Sequence, residues 1–430
     1  MGHHPGGVAA GARGAWRTGV ATFALLLLLG TRAWSGDLTL RECVELAIAR
    51  SPEARAVALA TVAAEAHVRS AHAAYSPQLF AKGEYGVSGG FDVAVTNGGS
   101  TATLLSFEAT LLDGGLRNAQ LSAAQAHLRE ARALEREQLA SVAFATRVAY
   151  FSALASDAQA EIQGETVETL RRYVGLLGNL EARAIVPLED VLRARLALQA
   201  AESEGRGAQS DAAIARNTLD VLTGLAVDGA SLAEPGDVRL APPADEEIDQ
   251  APSIADARAT AEAAESEARA VRSEARGQLK VTADAGALGV RPERTFRENG
   301  GGQFLLSYAL PLFDGGALDA RLAAAEAAAR GATAKLDAAK QSLALDLARA
   351  RKTAEKADAD VRAARGSIPI AADHFELIRA RYLGGGNVRL LEVLDSLAQH
   401  VDARLRASRA LLELRSATAT EQQLLGDATP

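Results

Sequence analysis

Leu112-Asp113-Gly114-Gly115 and Phe313-Asp314-Gly315-Gly316 are one turn written twice, 201 residues apart in a chain of 430. Working outward from either copy meets the same elements in the same order. Upstream, Ser51-Pro52-Glu53-Ala54-Arg55 opens a helical stretch that ends near Tyr75-Ser76-Pro77-Gln78-Leu79, and Ala251-Pro252-Ser253 opens another that ends at Gly277-Gln278-Leu279, an offset of 200. Downstream, Asp190-Val191-Leu192 recurs as Glu392-Val393-Leu394, an offset of 202. Three anchors that drift by only two residues across half a chain mark an internal duplication.

Each half therefore has one plan: a helix, a strand pair, and a long helical hairpin. Residues 36–224 form the first repeat, with strands at about 78–93 and 101–112 and a helical hairpin over 114–224. Residues 251–426 form the second, with strands at about 278–290 and 302–313 and a hairpin over 315–425. The segment 225–250, with Pro235, Pro242, Pro243 and the acidic run Asp245-Glu246-Glu247, reads as a partly irregular connector. Pro52 and Pro252 suit a first helical turn, where a missing N–H costs nothing. Pro187 starts the returning helix of the first half, and Gly384-Gly385-Gly386-Asn387 makes the corresponding turn in the second. From Leu116 to Ala182 there is no proline, and a continuous helix at 1.5 Å per residue spans about 100 Å there. Apolar and small residues recur along it at three- and four-residue spacing, as in Leu121, Ala124, Leu128, Ala131 and Leu134, so it packs in coiled-coil fashion. Pro369 predicts a bend in the matching helix.

The strands show which solvent each face meets. Leu79, Ala81, Gly83 and Tyr85 alternate with Lys82 and Glu84; Leu105, Phe107, Ala109 and Leu111 alternate with Ser106, Glu108 and Thr110. In the second half Leu279, Val281, Ala283 and Ala285 oppose Lys280, Thr282 and Asp284, while Phe304, Leu306, Tyr308 and Leu310 oppose Gln303 and Ser307. Eight of the sixteen Phe and Tyr residues fall within 78–113 and 278–313, an enrichment that fits lipid-facing strands with aromatic ends. Four strands cannot close a barrel, and an open edge is not tolerated in lipid, so several chains must contribute. The inference is an oligomeric barrel continued by a sheath of helices, which describes a conduit.

Composition narrows the function. Hydrophobic residues make up 48% and charged residues 23%, too balanced for disorder, and a single Cys and a single Met exclude a disulfide scaffold, a zinc-finger array and an iron–sulfur protein. Arg13 and Arg17 precede the apolar run Val20–Leu29, and Ala33-Trp34-Ser35 offers a cleavage site, so residues 1–35 read as a secretory signal peptide. Cys43 follows Arg41-Glu42, which is not the context of a lipidated cysteine. Without the leader, 43 basic residues face 54 acidic ones, a balance of −11 that argues against nucleic acid as a partner.

These residues resemble the outer-membrane efflux protein family, the TolC-like channels of Gram-negative bacteria. The resemblance runs from Leu38-Thr39-Leu40 and Ser51-Pro52 through Ser76-Pro77-Gln78-Leu79 and both Asp-Gly-Gly turns to Arg381-Tyr382 and Leu391-Glu392-Val393-Leu394-Asp395. It implies a homotrimer with a twelve-stranded barrel in outer-membrane lipid and a twelve-helix periplasmic tunnel. It also implies docking to a periplasmic adaptor protein and an inner-membrane transporter. Two positions depart from the family: Ala182-Arg183-Ala184-Ile185-Val186-Pro187 lacks a usual Gly, and Gly277 stands where a proline is expected.

No cofactor and no catalysis are expected. His67, His72, His127, His374 and His400 never pair at metal-ligand spacing, Gly384–Gly386 lacks the Lys of a phosphate-binding loop, and no nucleophile motif occurs. The candidate functional residues lie at the far ends of the long helices. Glu392 and Asp395 share one helix face, and the resemblance puts that pair where the tunnel narrows, so three copies make two rings of negative charge that favour cations. Asp190 is the first-half counterpart of Glu392, but Arg193 replaces the second acid. Arg389 is a candidate gate residue, holding a closed state by pairing with an acid on a neighbouring helix. The tips, Ala184, Val186 and Pro187 with Gly384, Gly385, Gly386 and Asn387, are the expected adaptor-docking end. The reading is a passive exit duct for efflux or type I secretion. A periplasmic coiled-coil adaptor is the alternative, and it leaves two strand pairs with apolar outer faces unexplained.

Overall fold

The computed structural model describes residues 37–86, 100–225, 230–236, 245–289 and 300–429. The leader 1–35 and the strand ends expected at 87–93 and 290 lie outside the described residues. Among the described residues the elements are α1 (Leu40–Arg50), α2 (Pro52–Ala73), β1 (Gln78–Gly86), β2 (Ser100–Leu112), α3 (Leu116–Glu181), α4 (Leu188–Thr223), α5 (Asp245–Asp249), α6 (Pro252–Glu274), β3 (Gln278–Gly289), β4 (Gly300–Ala309), α7 (Ala317–Leu383) and α8 (Leu390–Leu424).

Both long helices start from the duplicated turn, and the atoms repeat as well as the letters. Asp113 accepts from the Gly115 amide at 3.0 Å and the Arg117 amide at 3.0 Å; Asp314 accepts from the Gly316 amide at 3.0 Å and the Leu318 amide at 2.7 Å. A carboxylate thus satisfies the free N–H groups of each helix start and favours its positive end. The α3 helix is 66 residues and α7 is 67, each about 100 Å long. Pro369 lies inside α7 without ending it. In α3, Ala119, Ala126, Ala133 and Ala140 recur every seven residues and are at most 4% exposed, so the helix axes approach closely through small side chains.

The four strands form one antiparallel sheet in chain order. The register aligns Leu79, Phe107, Ala283 and Phe304 across it, with Val281 beside Leu306 and Leu279 beside Tyr308, so the apolar residues share a face. Most of that face is bare: Leu79, Tyr85, Phe304, Leu306 and Tyr308 are all more than half exposed, while Val281 and Ala287 are buried. The opposite face carries Lys82 bound to Glu108 at 2.8 Å, and Asp284 accepting from Ser106 and from Gln303, the latter at 2.8 Å. A sheet with an unburied apolar face and a hydrogen-bonded polar face is built for lipid on one side and water on the other. β4 ends at Ala309, short of residue 313, because Pro311 has no N–H to give and disfavours ladder geometry. Gly277, standing where a proline was expected, has φ +73°, and a Cβ there would lie 2.6 Å from the Ala309 carbonyl, so neither proline nor any branched residue fits.

Midway along the helices the connector is pinned. Leu38 bridges Leu232, and the buried Tyr150 hydroxyl lies 2.8 Å from the Leu38 carbonyl and 2.6 Å from that of Ala233. Arg216 holds Asp157 through two bonds of 3.0 and 2.6 Å and the Ala230 carbonyl at 2.9 Å.

Candidate functional site

The two hairpin tips are brought together by one apolar cluster, Leu170, Tyr173, Leu177, Val191, Phe375, Leu390, Val393 and Leu397, contributed by α3, α4, α7 and α8. Both turns close in the same way. The Ile185 amide donates to the Leu180 carbonyl at 3.0 Å and the Ala184 amide to that of Glu181 at 2.8 Å; the Gly386 amide donates to Arg381 at 2.8 Å and the Gly385 amide to Tyr382 at 3.3 Å. The left-handed position is Gly385 at φ +74° in the second tip and Ala184 at φ +56° in the first. The missing glycine of the first half therefore does not change the turn; an alanine adopts the left-handed conformation instead, at a cost of about 1 kcal/mol. Val186 and Val388 pack against the cluster, while Ala184, Pro187, Gly384, Gly385, Gly386 and Asn387 are exposed. Pro187 and Arg389 occupy equivalent places, each the extended residue immediately before its returning helix.

Glu392 and Asp395 stand exposed on one face of α8, with Val393, Ser396 and Leu397 buried on the other. Asp395 accepts from Gln399 at 2.8 Å. Within one chain Arg389 pairs with Glu392 at 3.3 Å, one turn along the same helix. Its side chain is 81% exposed, so the pair contributes a few tenths of a kcal/mol. On the first half Arg193 is similarly spent on Glu189 at 2.5 Å.

At the tips, one bond that crosses between the hairpins involves a residue that carries no assigned role in the sequence. Tyr382, at the end of α7, donates from its hydroxyl to Asp190, in the first turn of α4, at 2.9 Å. Burial, and then acceptance by Asp190, push the Tyr382 hydroxyl well above the ordinary tyrosine range, so it stays a donor at every physiological pH. Tyr173 lies beside it; burial raises its hydroxyl to about 12, and that oxygen has no partner among the described residues. Arg381-Tyr382 was legible as a motif, but nothing in one dimension paired it with Asp190. Deeper in the bundle His400 stacks on Phe375, rings 6.4 Å apart, and burial followed by the Arg404 charge lowers its pKa. Among the described residues no group of three His, Cys, Asp or Glu is placed to hold a metal ion.

An open amphipathic sheet, two helices about 100 Å long and an apolar cluster that joins the far tips of their hairpins define a class, the envelope-spanning channel. The profile of the outer membrane efflux protein family matches residues 43–225 and 244–427, one segment for each half, and the chain belongs to that family. Its fold is similar to that of a membrane protein from Pseudomonas aeruginosa, with TM-score 0.81, 20% identity and coverage of 91% of this chain and 90% of that one. It is also similar to the outer membrane protein VceC of Vibrio cholerae, with TM-score 0.79, 21% identity and coverage of 90% and 96%. The open state of the MtrE outer membrane channel of Neisseria gonorrhoeae gives TM-score 0.77, 20% identity and coverage of 91% and 89%. No curated protein matches the chain by sequence. The protein is an outer-membrane efflux duct, and its relatives are channel proteins rather than enzymes.

Proposed function

We propose that the duct works as a homotrimer, passively, as the exit of an envelope-spanning export system whose energy comes from an inner-membrane transporter coupled through a periplasmic adaptor. The observation that carries this reading is the four-stranded sheet, largely bare on its apolar face and, among the described residues, unpaired at both edges. Lipid does not tolerate such edges, so copies must close the ring. Two copies make eight strands, a barrel whose interior side chains fill it; three make twelve, the smallest closed ring with a passage. In that ring the Glu392 and Asp395 carboxylates form two acidic girdles favouring cations, and Arg389 tethers the closed tips by exchanging Glu392 for an acid on a neighbouring helix. The tips around Ala184, Val186, Pro187 and Gly384 to Asn387 form the adaptor-docking end, since they are the exposed turns farthest from the membrane.

Purified protein fused into a planar bilayer is expected to give cation-preferring pores, and a photo-reactive residue at Ile185 or Asn387 is expected to capture a periplasmic protein in cells. Pores of unaltered ion preference in a Glu392→Gln/Asp395→Asn double variant would overturn the acidic girdles. Export that survives while neither tip position captures any protein would overturn the docking assignment.

A further inference from the structure

We propose that a cleft at the level of the connector, walled by α3, α7 and α8, binds a small organic acid: one carboxylate on a compact apolar body, held between Arg415 and Arg365. The cleft has a volume of about 240 Å³, and Glu234 of the connector lies at its side. The residues that line it belong to one chain, so the site does not depend on how copies assemble.

Arg415 is the group that calls for a ligand. It lies on α8 and is 7% exposed although its charge is permanent. Phe151 of α3 is equally buried and covers the guanidinium, with Cζ 5.6 Å from the ring centre. Glu234 accepts from Nη2, and its neighbour fixes its place, because the Ala233 carbonyl accepts from the Tyr150 hydroxyl at 2.6 Å. The Glu234 side chain is 65% exposed, so it meets the guanidinium from the solvent side. The Nε–H is left buried with no acceptor among the described residues. A buried donor on a charged group is costly to leave unmet, and this one lines a cleft into which an acceptor fits.

Charge and shape set the class of ligand. Arg365, exposed on α7, lines the same cleft and has no ion pair among the described residues. Two guanidinium groups therefore share the single carboxylate of Glu234, a local positive excess in a chain whose net charge is −8. One added carboxylate balances that excess, whereas a doubly charged phosphate overshoots it. The walls made by Phe151, Ile368 and Leu411 are apolar, so the body behind the carboxylate is apolar too. At about 240 Å³ the cleft falls just below the range of about 300–1,000 Å³ that suits drug-sized ligands, which selects an aromatic ring or a short chain over a lipid tail. The α7 wall is also where that helix is weakest. Pro369 has no N–H to return to the Arg365 carbonyl, and a Cβ on Gly366 would meet nothing within 4 Å. An acid bridging Arg365 and Arg415 ties α7 to α8 across this opened ladder.

The test is a titration of the full-length protein in lipid nanodiscs with para-fluorobenzoate, followed by fluorine NMR. The parent is expected to give saturable line broadening, and para-fluorobenzyl alcohol, the same body without the charge, to bind at least about tenfold more weakly. Ile368→Trp fills the cleft while keeping both arginines and is expected to abolish the broadening. Arg365→Gln changes an exposed side chain that the fold does not use, and is expected to weaken binding about fivefold. No saturable broadening in the parent, or broadening unchanged in Ile368→Trp, overturns the site. Equal binding of the alcohol overturns recognition of a carboxylate. Complete displacement by an equal concentration of inorganic phosphate overturns the small acid in favour of an unselective anion site. Should Ile368→Trp fail to fold, Arg365→Gln decides alone, and an unchanged affinity there overturns the proposal.

Discussion

Replacing Tyr382 by Phe removes one oxygen from the tips, and with it the hydrogen bond that ties the end of α7 to the start of α4. A hydrogen bond to a charged acceptor contributes about 1.5–3 kcal/mol, and the lower end applies here because both side chains are only partly buried. At about 1.5 kcal/mol the loss weakens one closed tip roughly tenfold. Three copies that open together lose about 4.5 kcal/mol, a shift on the order of a thousandfold toward the open state. The assay is the open fraction of single pores in a planar bilayer, compared among the parent, Tyr382→Phe, Asp190→Ala and the double variant. The single variants are expected to raise the open fraction alike, and the double variant no further, since both remove the same bond. An unchanged open fraction in Tyr382→Phe, or additive effects in the double variant, would refute the tie as the element that holds the tips.

Ala184→Gly relieves the left-handed strain at φ +56° and is expected to raise stability by about 0.5–1 kcal/mol, read from thermal unfolding, with export unchanged. Leu177→Ala empties a fully buried position of the tip cluster and is expected to cost about 3 kcal/mol in the same measurement. The lowered pKa of His400 gives a pH dependence of definite sign: the fold holds the ring neutral while the unfolded chain takes up a proton near pH 6.5. Its contribution is complete above that pH and declines as pH falls through 6.5 toward the depressed folded value. The decline in melting temperature from pH 7.5 to 5 is therefore expected to be shallower in His400→Phe, and an identical slope would count against it. Tyr150→Phe removes the one hydroxyl proton that lies between the Leu38 and Ala233 carbonyls and is expected to cost about 1–3 kcal/mol, loosening the connector in hydrogen exchange.

Duplication, element order and amphipathic period are one-dimensional properties, and they were legible in the residues alone. Asp-Gly-Gly twice at an offset of 201 determined where each long helix starts, because a carboxylate three residues before the helix caps its free amides wherever the chain goes afterwards. Alternation in the strands determined that one face is apolar, because successive side chains point opposite ways. Neither says what touches what. Within one chain Arg389 pairs with Glu392 three residues on, a contact set by helix geometry alone. Tyr382 and Asp190 are 192 residues apart, and only the packing of Leu177, Val191, Phe375 and Val393 into one cluster brings the hydroxyl to the carboxylate. The Ala184 turn shows the same division. The sequence determined that a tight reversal occurs there, while the tertiary contacts of both hairpins hold an alanine in a conformation that its own backbone disfavours.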